Sequence, residues 1–414
     1  TEEIFVPKSC RKGAYKLSLN DTPRADRLHI GIYGKRNSGK SSLINALTGH
    51  ETSIVSPVAG TTTDPVYKSM EIYGLGPCVL IDTAGFDDMN RVGKKRVEKT
   101  REAMEKTDIA IVVFDPREPV YEEKEWINAF NEKNIPVIAV LNKSDTMDNM
   151  KDVSAHIYNE VNILPIEISA KYKKSIDKII SELIKNMPDD YDVQTITGGI
   201  VRDGDMVLLV MPQDIQAPKG RLILPQVQTI RELLDKRCIV TSVTADRLEE
   251  GLRALNRSPD VIITDSQVFK SVYEKKPRES KLTSFSVLFA AYKGDIDYYT
   301  KSAEVLGSLN DNSRVLIAEA CTHAPLQEDI GREKLPRMLR KRFGEGIEID
   351  IVSGPDFPED ISVYDIIIQC GACMFNRRHV MSRIERAVRS NVPMTNYGVA
   401  IAYLSGILDK ISLT

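Results

Sequence analysis

Residues 34 to 41 contain the pattern Gly-x-x-x-x-Gly-Lys-Ser, which combines residue types suited to binding phosphate. The glycines let the backbone turn so that its N–H groups face phosphate oxygens, the lysine can reach the outer phosphates, and the serine hydroxyl can ligate magnesium. A strand-like run, LHIGIY, precedes the pattern, and a helix-like run, SSLINALTG, follows it. Because a P-loop requires this strand–loop–helix context, the segment predicts a nucleotide site. The predicted phosphate-binding residues are Gly34, Asn37, Ser38, Gly39, Lys40, Ser41 and Ser42.

Three further stretches predict which nucleotide is bound. VLIDTAG, at 79–85, places Asp82 at the end of an apolar strand, where it can hold the magnesium shell, and Gly85 where its amide can contact the terminal phosphate. LNKSD and ISAKY follow two other apolar runs. The Asp145 carboxylate can accept hydrogen bonds from both the N1–H and the exocyclic amine of guanine, a pair that adenine does not offer. The predicted base-binding residues are Asn142, Lys143, Asp145, Ser169, Ala170 and Lys171.

Together with the threonine-bearing loop AGTTTDP, at 59–65, these ordered motifs resemble the small GTPase domain. The resemblance implies that GTP and Mg²⁺ are bound, with Ser41 and Thr62 as magnesium ligands. The residues to which it assigns roles in hydrolysis are Asn37, Lys40, Ser41, Thr62, Asp82 and Gly85.

The residue after DTAG is Phe86, whereas Ras-like GTPases have a glutamine there that orients the attacking water. An aromatic ring cannot orient water, so slow intrinsic hydrolysis is expected. The P-loop Asn37 and the sequence GTTTDP resemble the tRNA-modification GTPases, in which a K⁺ ion held partly by this asparagine places positive charge beside the transferred phosphoryl group. The resemblance implies faster hydrolysis in potassium than in sodium. The alternative is that Asn37 is an ordinary turn residue.

The composition of the 414-residue chain, 42% hydrophobic and 28% charged, is that of an ordinary globular protein. At roughly 150 residues per domain, about three domains are expected. The net charge of -3 gives no basic footprint for nucleic acid and no polybasic membrane patch. The first twenty residues carry no apolar signal-peptide core, and no run of 18 apolar residues occurs. We therefore expect a cytoplasmic protein that binds small molecules or proteins, not nucleic acid or membranes.

Strand-like and helix-like runs alternate after the linker NMPDDYDVQ, at 186–194, which favours βαβ units and parallel sheets. In the middle of the chain the predicted strands are MVLLVMP, CIVTSV and DVIITD, separated by the predicted helices PQVQTIRELLDK and ADRLEEGLRALNR. From residue 285 the predicted strands are FSVLFAAY, SRVLIAEACTH, IEIDIV and DIIIQCGACM. Cys78 and Cys238 lie in or beside apolar runs and are predicted to be core residues.

Two of these late strands end in cysteine. Cys321 is followed by His323, and Cys370 forms a C-x-x-C pair with Cys373. Because ligands in open parallel sheets lie beyond the carboxyl ends of the strands, the three thiols could share one face. They could hold a Cys₃His zinc ion, act as a redox dithiol through the C-x-x-C pair, or ligate an iron–sulfur cluster. Ordinary burial of the cysteines is a fourth alternative, and the residues alone leave all four open.

The pairing of this GTPase domain with C-T-H…C-x-x-C-M and the closing stretch VPMTNYGVAIAYLSGIL resembles the HydF family, the GTPases that mature FeFe-hydrogenases, over nearly the whole chain. The resemblance implies a 4Fe-4S cluster on Cys321, Cys370 and Cys373, and a role as scaffold and carrier for a two-iron precursor. It also implies as partners two radical-SAM maturases, which build the precursor, and apo-hydrogenase, which receives it. A homodimer or a dimer of dimers is expected.

One position departs from the family pattern. The family commonly has a histidine directly before the C-x-x-C, and this chain has Gln369 there. An amide is a poor iron ligand, so His323, a carboxylate such as Glu319 or Glu328, or water is expected to complete the cluster. A weakly held corner would be the natural place for an incoming iron unit to attach.

The predicted fold is therefore α/β, with three domains after an N-terminal arm over 1–27. They are a P-loop GTPase domain over 28–187, a middle βαβ dimerisation or assembly domain over 192–279, and a Rossmann-like iron–sulfur cluster-binding domain over 280–414. The alternative function is that of an RNA- or ribosome-associated GTPase whose last domain holds a structural zinc.

Overall fold

The computed structural model describes residues 23–49, 53–55, 65–72, 74–83, 91–188, 195–211, 222–320, 330–354 and 356–413. The strands of these ranges form three separate sheets, each containing parallel strands and flanked by helices. The observed architecture is thus α/β, as predicted. None of the helices in the described ranges is long and apolar enough to cross a membrane.

The first sheet has seven strands in the order β2-β3-β4-β1-β5-β6-β7. The strands are β1 Leu28–Tyr33, β2 Ser53–Val55, β3 Val66–Ile72, β4 Gly76–Asp82, β5 Ile109–Phe114, β6 Val137–Leu141 and β7 Ile166–Glu167. The helices are α1 Lys40–Thr48, α2 Arg91–Met104, α3 Tyr121–Glu132, α4 Met150–Val161 and α5 Ile176–Lys185. The β2–β3 and β3–β4 pairs are antiparallel, and the other pairs of this sheet are parallel. Helices cover both faces, so β1 and β5 are fully buried, and their residues are apolar except for His29. The parallel strands β1, β4 and β6 bring three predicted motifs to one sheet edge.

The second sheet has four parallel strands in the order β11-β10-β8-β9. They are β8 Met206–Val210, β9 Ile239–Val243, β10 Val261–Thr264 and β11 Lys281–Ser284. The accompanying helices are α6 Leu224–Asp235, α7 Leu248–Ala254, α8 Phe269–Lys275 and α9 Phe285–Lys293. The strand and helix order predicted from β8 to β10 is confirmed. Because β11 lies past residue 280, this sheet includes residues that we expected in the next domain; the domain boundaries themselves stay predictions.

The run FSVLFAAY, predicted to be a strand, is instead the start of helix α9. Ser284 begins this helix, because its side chain accepts a hydrogen bond from the Val287 amide at 3.2 Å. The helix is apolar on several sides because it packs against α6, α12 and α13. A helix that is buried on several sides loses the 3.6-residue periodicity, and a short apolar run of this kind cannot be distinguished from a buried strand by pattern.

The third sheet also has four parallel strands, in the order β13-β12-β14-β15. They are β12 Arg314–Glu319, β13 Glu348–Ser353, β14 Ile366–Gln369 and β15 Met394–Asn396. Its helices are α10 Ile296–Ala303, α11 Leu335–Phe343, α12 Arg377–Arg389 and α13 Tyr397–Leu404. The two strands that precede the cysteine motifs, β12 and β14, are neighbours, and Ala318 pairs with Gln369. β12 and β14 therefore end side by side at the same edge of the sheet.

Candidate functional site

The predicted phosphate loop joins β1 to α1 and needs glycine at two positions. Gly39 has φ +96°, and a Cβ there would lie 2.1 Å from Nδ2 of Asn142. Gly34 has φ +144°, and a Cβ there would lie 2.5 Å from the carbonyl oxygen of Val113. Both positions combine a left-handed backbone with contacts too close for any side chain. The backbone turn predicted from the sequence is therefore present.

Two polar side chains of the phosphate loop, those of Lys40 and Ser38, are buried within it. The Lys40 ammonium is buried and donates to the carbonyl oxygens of Gly34 at 2.9 Å and of Lys35 at 2.8 Å. The Ser38 hydroxyl is fully buried, and within the described part of the chain it has no hydrogen-bond partner. Such a group is costly to bury unless a ligand or water bonds to it. The loop thus fits a bound phosphate chain.

The predicted magnesium ligands meet at the ends of two neighbouring strands. The Ser41 hydroxyl donates to Oδ2 of Asp82 at 3.0 Å. Burial raises the pKa of Asp82, while the Ser41 hydrogen bond and the nearby Lys40 charge act in the opposite direction. A bound dication would favour the charged carboxylate that this site needs. Thr62 and Gly85, the other predicted residues of this region, lie outside the described ranges.

The base-binding motifs are held together by side chains. Nδ2 of Asn142 donates to the Ser38 carbonyl at 3.0 Å, and its Oδ1 accepts from the Ala170 amide at 3.0 Å. This one side chain therefore ties the phosphate loop to the S-A-K segment. Oδ1 of Asp145 accepts from the Ser169 hydroxyl at 2.5 Å, and this bond lowers the pKa of Asp145. An ionised Asp145 is the double acceptor that guanine requires.

The remaining predicted residues lie on the rim of this site. Lys143 pairs with Asp115 at 2.5 Å, and Asp115 is also held by Arg117. Asp115 is not among the residues predicted from the sequence, although its position directly after a buried strand is a signal that could have identified it. Asn37 is exposed with φ +63°, a conformation that asparagine tolerates. Ser42 and Lys171 are also exposed.

A buried ion cluster attaches the phosphate loop to α3. The Lys35 ammonium lies 2.8 Å from the Glu122 carboxylate and 3.5 Å from that of Glu123, and it donates to the Pro119 carbonyl. Burial raises the pKa of Glu123 to about 7. This cluster could not be predicted from the phosphate-loop pattern, because Lys35 occupies one of its variable positions.

The cysteine site begins directly after β14. The Cys370 sulfur accepts hydrogen bonds from the backbone amides of Ala320 at 3.0 Å and Ala372 at 3.4 Å. Burial raises the pKa of the Cys370 thiol to about 11, and the two amide bonds oppose that shift. Ala320 directly precedes Cys321 in the sequence. Two N–H donors on one sulfur suit a thiolate whose proton has been replaced by a metal.

The predicted set of metal ligands is only partly described. Cys321 and His323 lie outside the described ranges, and no group of three or more His, Cys, Asp or Glu residues within those ranges could hold a metal ion. Glu319 is engaged elsewhere, since its Oε2 accepts from Arg332 at 3.0 Å and from the Ser353 hydroxyl at 3.1 Å. This salt bridge competes with iron for that carboxylate.

Gln369, Cys78 and Cys238 are all buried. The Gln369 side chain is 1% exposed, and neither of its amide atoms has a hydrogen-bond partner among the described residues. Cys78 and Cys238 are buried, which confirms the prediction that they are core residues.

The segment that follows the cysteine pair contacts the first domain. Asn376 lies three residues after Cys373 and begins helix α12 by accepting from the His379 amide at 3.3 Å. Its Nδ2 donates to the Lys106 carbonyl, just past α2, at 2.8 Å. The Arg378 guanidinium donates to a carbonyl just past α3, that of Lys133. The loop that carries Cys373 is therefore joined to the GTPase domain.

Comparisons with known proteins agree with this organisation. Residues 29–143 match the family described as 50S ribosome-binding GTPase. Residues 196–294 match the Hydrogen maturase F dimerization domain, and residues 297–413 match the Hydrogen maturase F tetramerization domain.

Individual relatives align with the GTPase part of the chain. GTPase Der of Wolinella succinogenes is 38% identical over 167 residues, which are 38% of this chain and 35% of that protein. The tRNA modification GTPase MnmE of Burkholderia cenocepacia is 35% identical over 162 residues, 38% of this chain and 34% of that protein. The chain thus spans about a third of the length of these curated relatives. A crystal structure of a variant of Aquifex aeolicus Era bound to GDP and AlF₄⁻ is similar to part of this chain. The alignment covers 55% of this chain and 98% of the Era chain, at 21% identity and a TM-score of 0.33.

The phosphate loop, the strand-end aspartate and the base-binding loops on one sheet edge, together with the match over 29–143, define a P-loop GTPase domain. The two maturase domains together cover more than half of the 414 residues. The chain belongs to the hydrogen maturase F family.

Proposed function

We propose that this protein is a GTP-hydrolysing scaffold and carrier in FeFe-hydrogenase maturation. It binds a 4Fe-4S cluster through Cys321, Cys370 and Cys373 and delivers a two-iron precursor to apo-hydrogenase. Membership of the hydrogen maturase F family supports the maturation role. The cluster assignment is supported by one observation. The Cys370 sulfur accepts hydrogen bonds from two backbone amides directly after a strand of a parallel sheet.

The residues of this site are suited to holding a cluster. Cys370 gives up its proton on metal binding, and the amides of Ala320 and Ala372 then stabilise the thiolate charge. Cys373 follows in the same short loop, and Cys321 directly follows Ala320 in the sequence. When bound, a cluster with three cysteine ligands supplies one iron whose remaining ligand can be exchanged for an incoming iron unit. Because Glu319 is engaged by Arg332, we assign that fourth position to His323, Glu328 or water.

The first domain carries the regulating reaction. Lys40, Ser41 and Asp82 hold the phosphates and Mg²⁺ of GTP, and Asp145 selects guanine. Asn37 would hold a K⁺ ion in part, and that ion would supply positive charge to the transferred phosphoryl group. The state of the terminal phosphate then biases α2, and the Lys106 carbonyl, two residues past the end of α2, accepts a hydrogen bond from Asn376.

The matches to a dimerization and a tetramerization domain support assembly of the chain as a homodimer or a dimer of dimers. The protein partners that we propose are two radical-SAM maturases, which load the precursor, and apo-hydrogenase, which accepts it. The proposed localisation of the protein is the cytoplasm.

The decisive experiment compares the metal content of three proteins prepared without oxygen. They are the wild type, Cys370→Ala and the control Cys238→Ala, which removes a buried thiol from the second sheet. Iron, sulfide and zinc per chain are measured together with the EPR spectrum after reduction.

We expect about four irons per chain and a reduced-cluster signal in the wild type and the control, and loss of both in Cys370→Ala. Stoichiometric zinc with no iron uptake would contradict the proposal. It would leave the last domain as a structural zinc module and favour an RNA- or ribosome-associated GTPase.

A further inference from the structure

Arg383, on helix α12, carries a buried positive charge with unused hydrogen-bond donors. The residue is 2% exposed, and its guanidinium lies over the rings of Phe357 and Phe375, 4.7 Å from each ring centroid. Nη2 donates to the Gly354 carbonyl at 2.6 Å. Nε and Nη1 are buried, and neither has a hydrogen-bond partner in the described part of the chain.

No carboxylate among the described residues forms an ion pair with Arg383. The titratable groups that interact with it include Cys370, Tyr299 and Arg386, none of which is a carboxylate. Burial lowers the pKa of Arg383 to about 10, so it stays charged at neutral pH. A buried charge without a counter-ion is strongly destabilising, because desolvation is not offset by attraction. Arg383 therefore requires a negative group that the described residues do not supply.

The cysteine loop lies beside this charge. Phe375, on which Arg383 stacks, donates its amide to the Ala372 carbonyl at 3.0 Å. That bond closes the turn containing Cys373, and Cys370 begins the same loop. The guanidinium thus packs against Phe375, which closes the loop that carries two of the proposed cluster ligands.

We propose that Arg383 is the counter-charge of the cluster bound by Cys370 and Cys373, and that it raises the cluster's reduction potential. This inference rests on the proposed function. A thiolate-ligated cluster is anionic and becomes more so when it accepts an electron, so a fixed cation stabilises the reduced form more than the oxidised form. In the reaction measured, one electron passes from dithionite to the cluster, and no bond or proton of the protein is transferred.

The test is a redox titration of the loaded protein, followed by EPR. The variants are Arg383→Gln, which removes the charge, and Arg383→Lys, which keeps it on a more mobile chain. The matched control is Arg386→Gln, which removes an arginine one turn along the same helix that donates to the Pro358 carbonyl. Iron per chain and GTP binding confirm that each protein is folded and loaded.

We expect Arg383→Gln to lower the reduced-to-oxidised ratio at a fixed potential about tenfold, which is 59 mV for one electron. Arg383→Lys should lie between this variant and the wild type, and Arg386→Gln should match the wild type. An unchanged potential in Arg383→Gln would overturn the inference, and so would an equal shift in Arg386→Gln. If Arg383→Gln does not fold, Arg383→Met, which also removes the charge and keeps an apolar stem, takes its place, and an unchanged potential in that variant would overturn the inference. A wild type that binds no iron would overturn the proposed function and this inference together.

Discussion

Several side chains of the nucleotide site connect segments that are distant in the sequence. Asn142 bonds both the Ser38 carbonyl and the Ala170 amide, so the phosphate loop and the base-binding loops form one structure. Asp115, directly after the neighbouring strand β5, forms an ion pair with Lys143. Because each of these residues acts through a partner, a substitution at one motif is expected to affect the others.

Replacing Asn37 by alanine should remove the potassium dependence of GTP hydrolysis. The exposed asparagine side chain is the proposed oxygen ligand of K⁺, and alanine has no oxygen to offer. The wild type should hydrolyse GTP faster in potassium chloride than in sodium chloride, and the two rates of Asn37→Ala should be equal. The control Asn162→Ala, at the end of α4, should behave as the wild type. Equal wild-type rates in the two salts would contradict the potassium assignment.

Glu123 should make stability fall as the pH rises toward neutrality. Its pKa is raised by burial from near 4.5 to about 7, so the folded state holds its proton more tightly than the unfolded state. The stabilisation from that proton is complete below pH 4.5 and is lost as the pH rises through 7. Glu123→Gln, which cannot ionise, should show a smaller fall in melting temperature between pH 5 and pH 8. Glu118→Gln, an exposed neighbour, is the control; identical pH profiles for all three proteins would contradict this prediction.

At the level of elements, the sequence predicts most strands correctly, but it does not predict which side chains of different elements pack together. The β8-to-β10 alternation and the strands that precede the cysteines follow from their runs of apolar residues. The α9 helix does not, because burial on several sides removes its periodicity. The Arg383 site could not have been predicted either, because Phe357, Phe375 and Arg383 meet only through the packing of α12 on the third sheet.

The side chain of Ser284 should be needed for the stability of α9. It accepts the Val287 amide and begins a helix that packs against α12 and α13 of the third domain. Ser284→Ala should cost about 1 kcal/mol, as expected for loss of a helix N-cap. Chemical denaturation followed by circular dichroism measures this change. Ser271→Ala, at an exposed position of α8, is the control; a similar loss in both variants would show that the cap is not the cause.

At the scale of the whole molecule, the GTPase and cysteine domains are joined close to the cysteine loop, at the amino-terminal ends of β1 and β5, which is the end of the first sheet opposite the phosphate loop. Asn376 bonds the Lys106 carbonyl, and the Lys293 ammonium lies 3.0 Å from Asp26 and donates to the Phe375 carbonyl at 2.7 Å. Phe375 and Asn376 follow the cysteine pair almost directly. A displacement of α2 would therefore reach the cysteine loop through only a few bonds.

Asn376→Ser should reduce the effect of nucleotide on the cluster. Serine can still accept the His379 amide at the start of α12, but it is too short to reach Lys106. In the wild type, replacing GDP by a non-hydrolysable GTP analogue should change the EPR spectrum of the reduced cluster. The change should be mostly lost in Asn376→Ser and retained in Asn391→Ala, at the other end of α12. A full nucleotide response in Asn376→Ser would show that coupling does not depend on this contact.

The most direct test of the account is activation of apo-FeFe-hydrogenase by the protein after loading by the two radical-SAM maturases. The wild type, Cys370→Ala and Cys238→Ala are compared for hydrogen evolution and, separately, for GTP hydrolysis. We predict that all three hydrolyse GTP at the same rate, and that only Cys370→Ala fails to activate the hydrogenase. Activation by Cys370→Ala at the wild-type level would contradict the claim that the cysteine site carries the iron cargo.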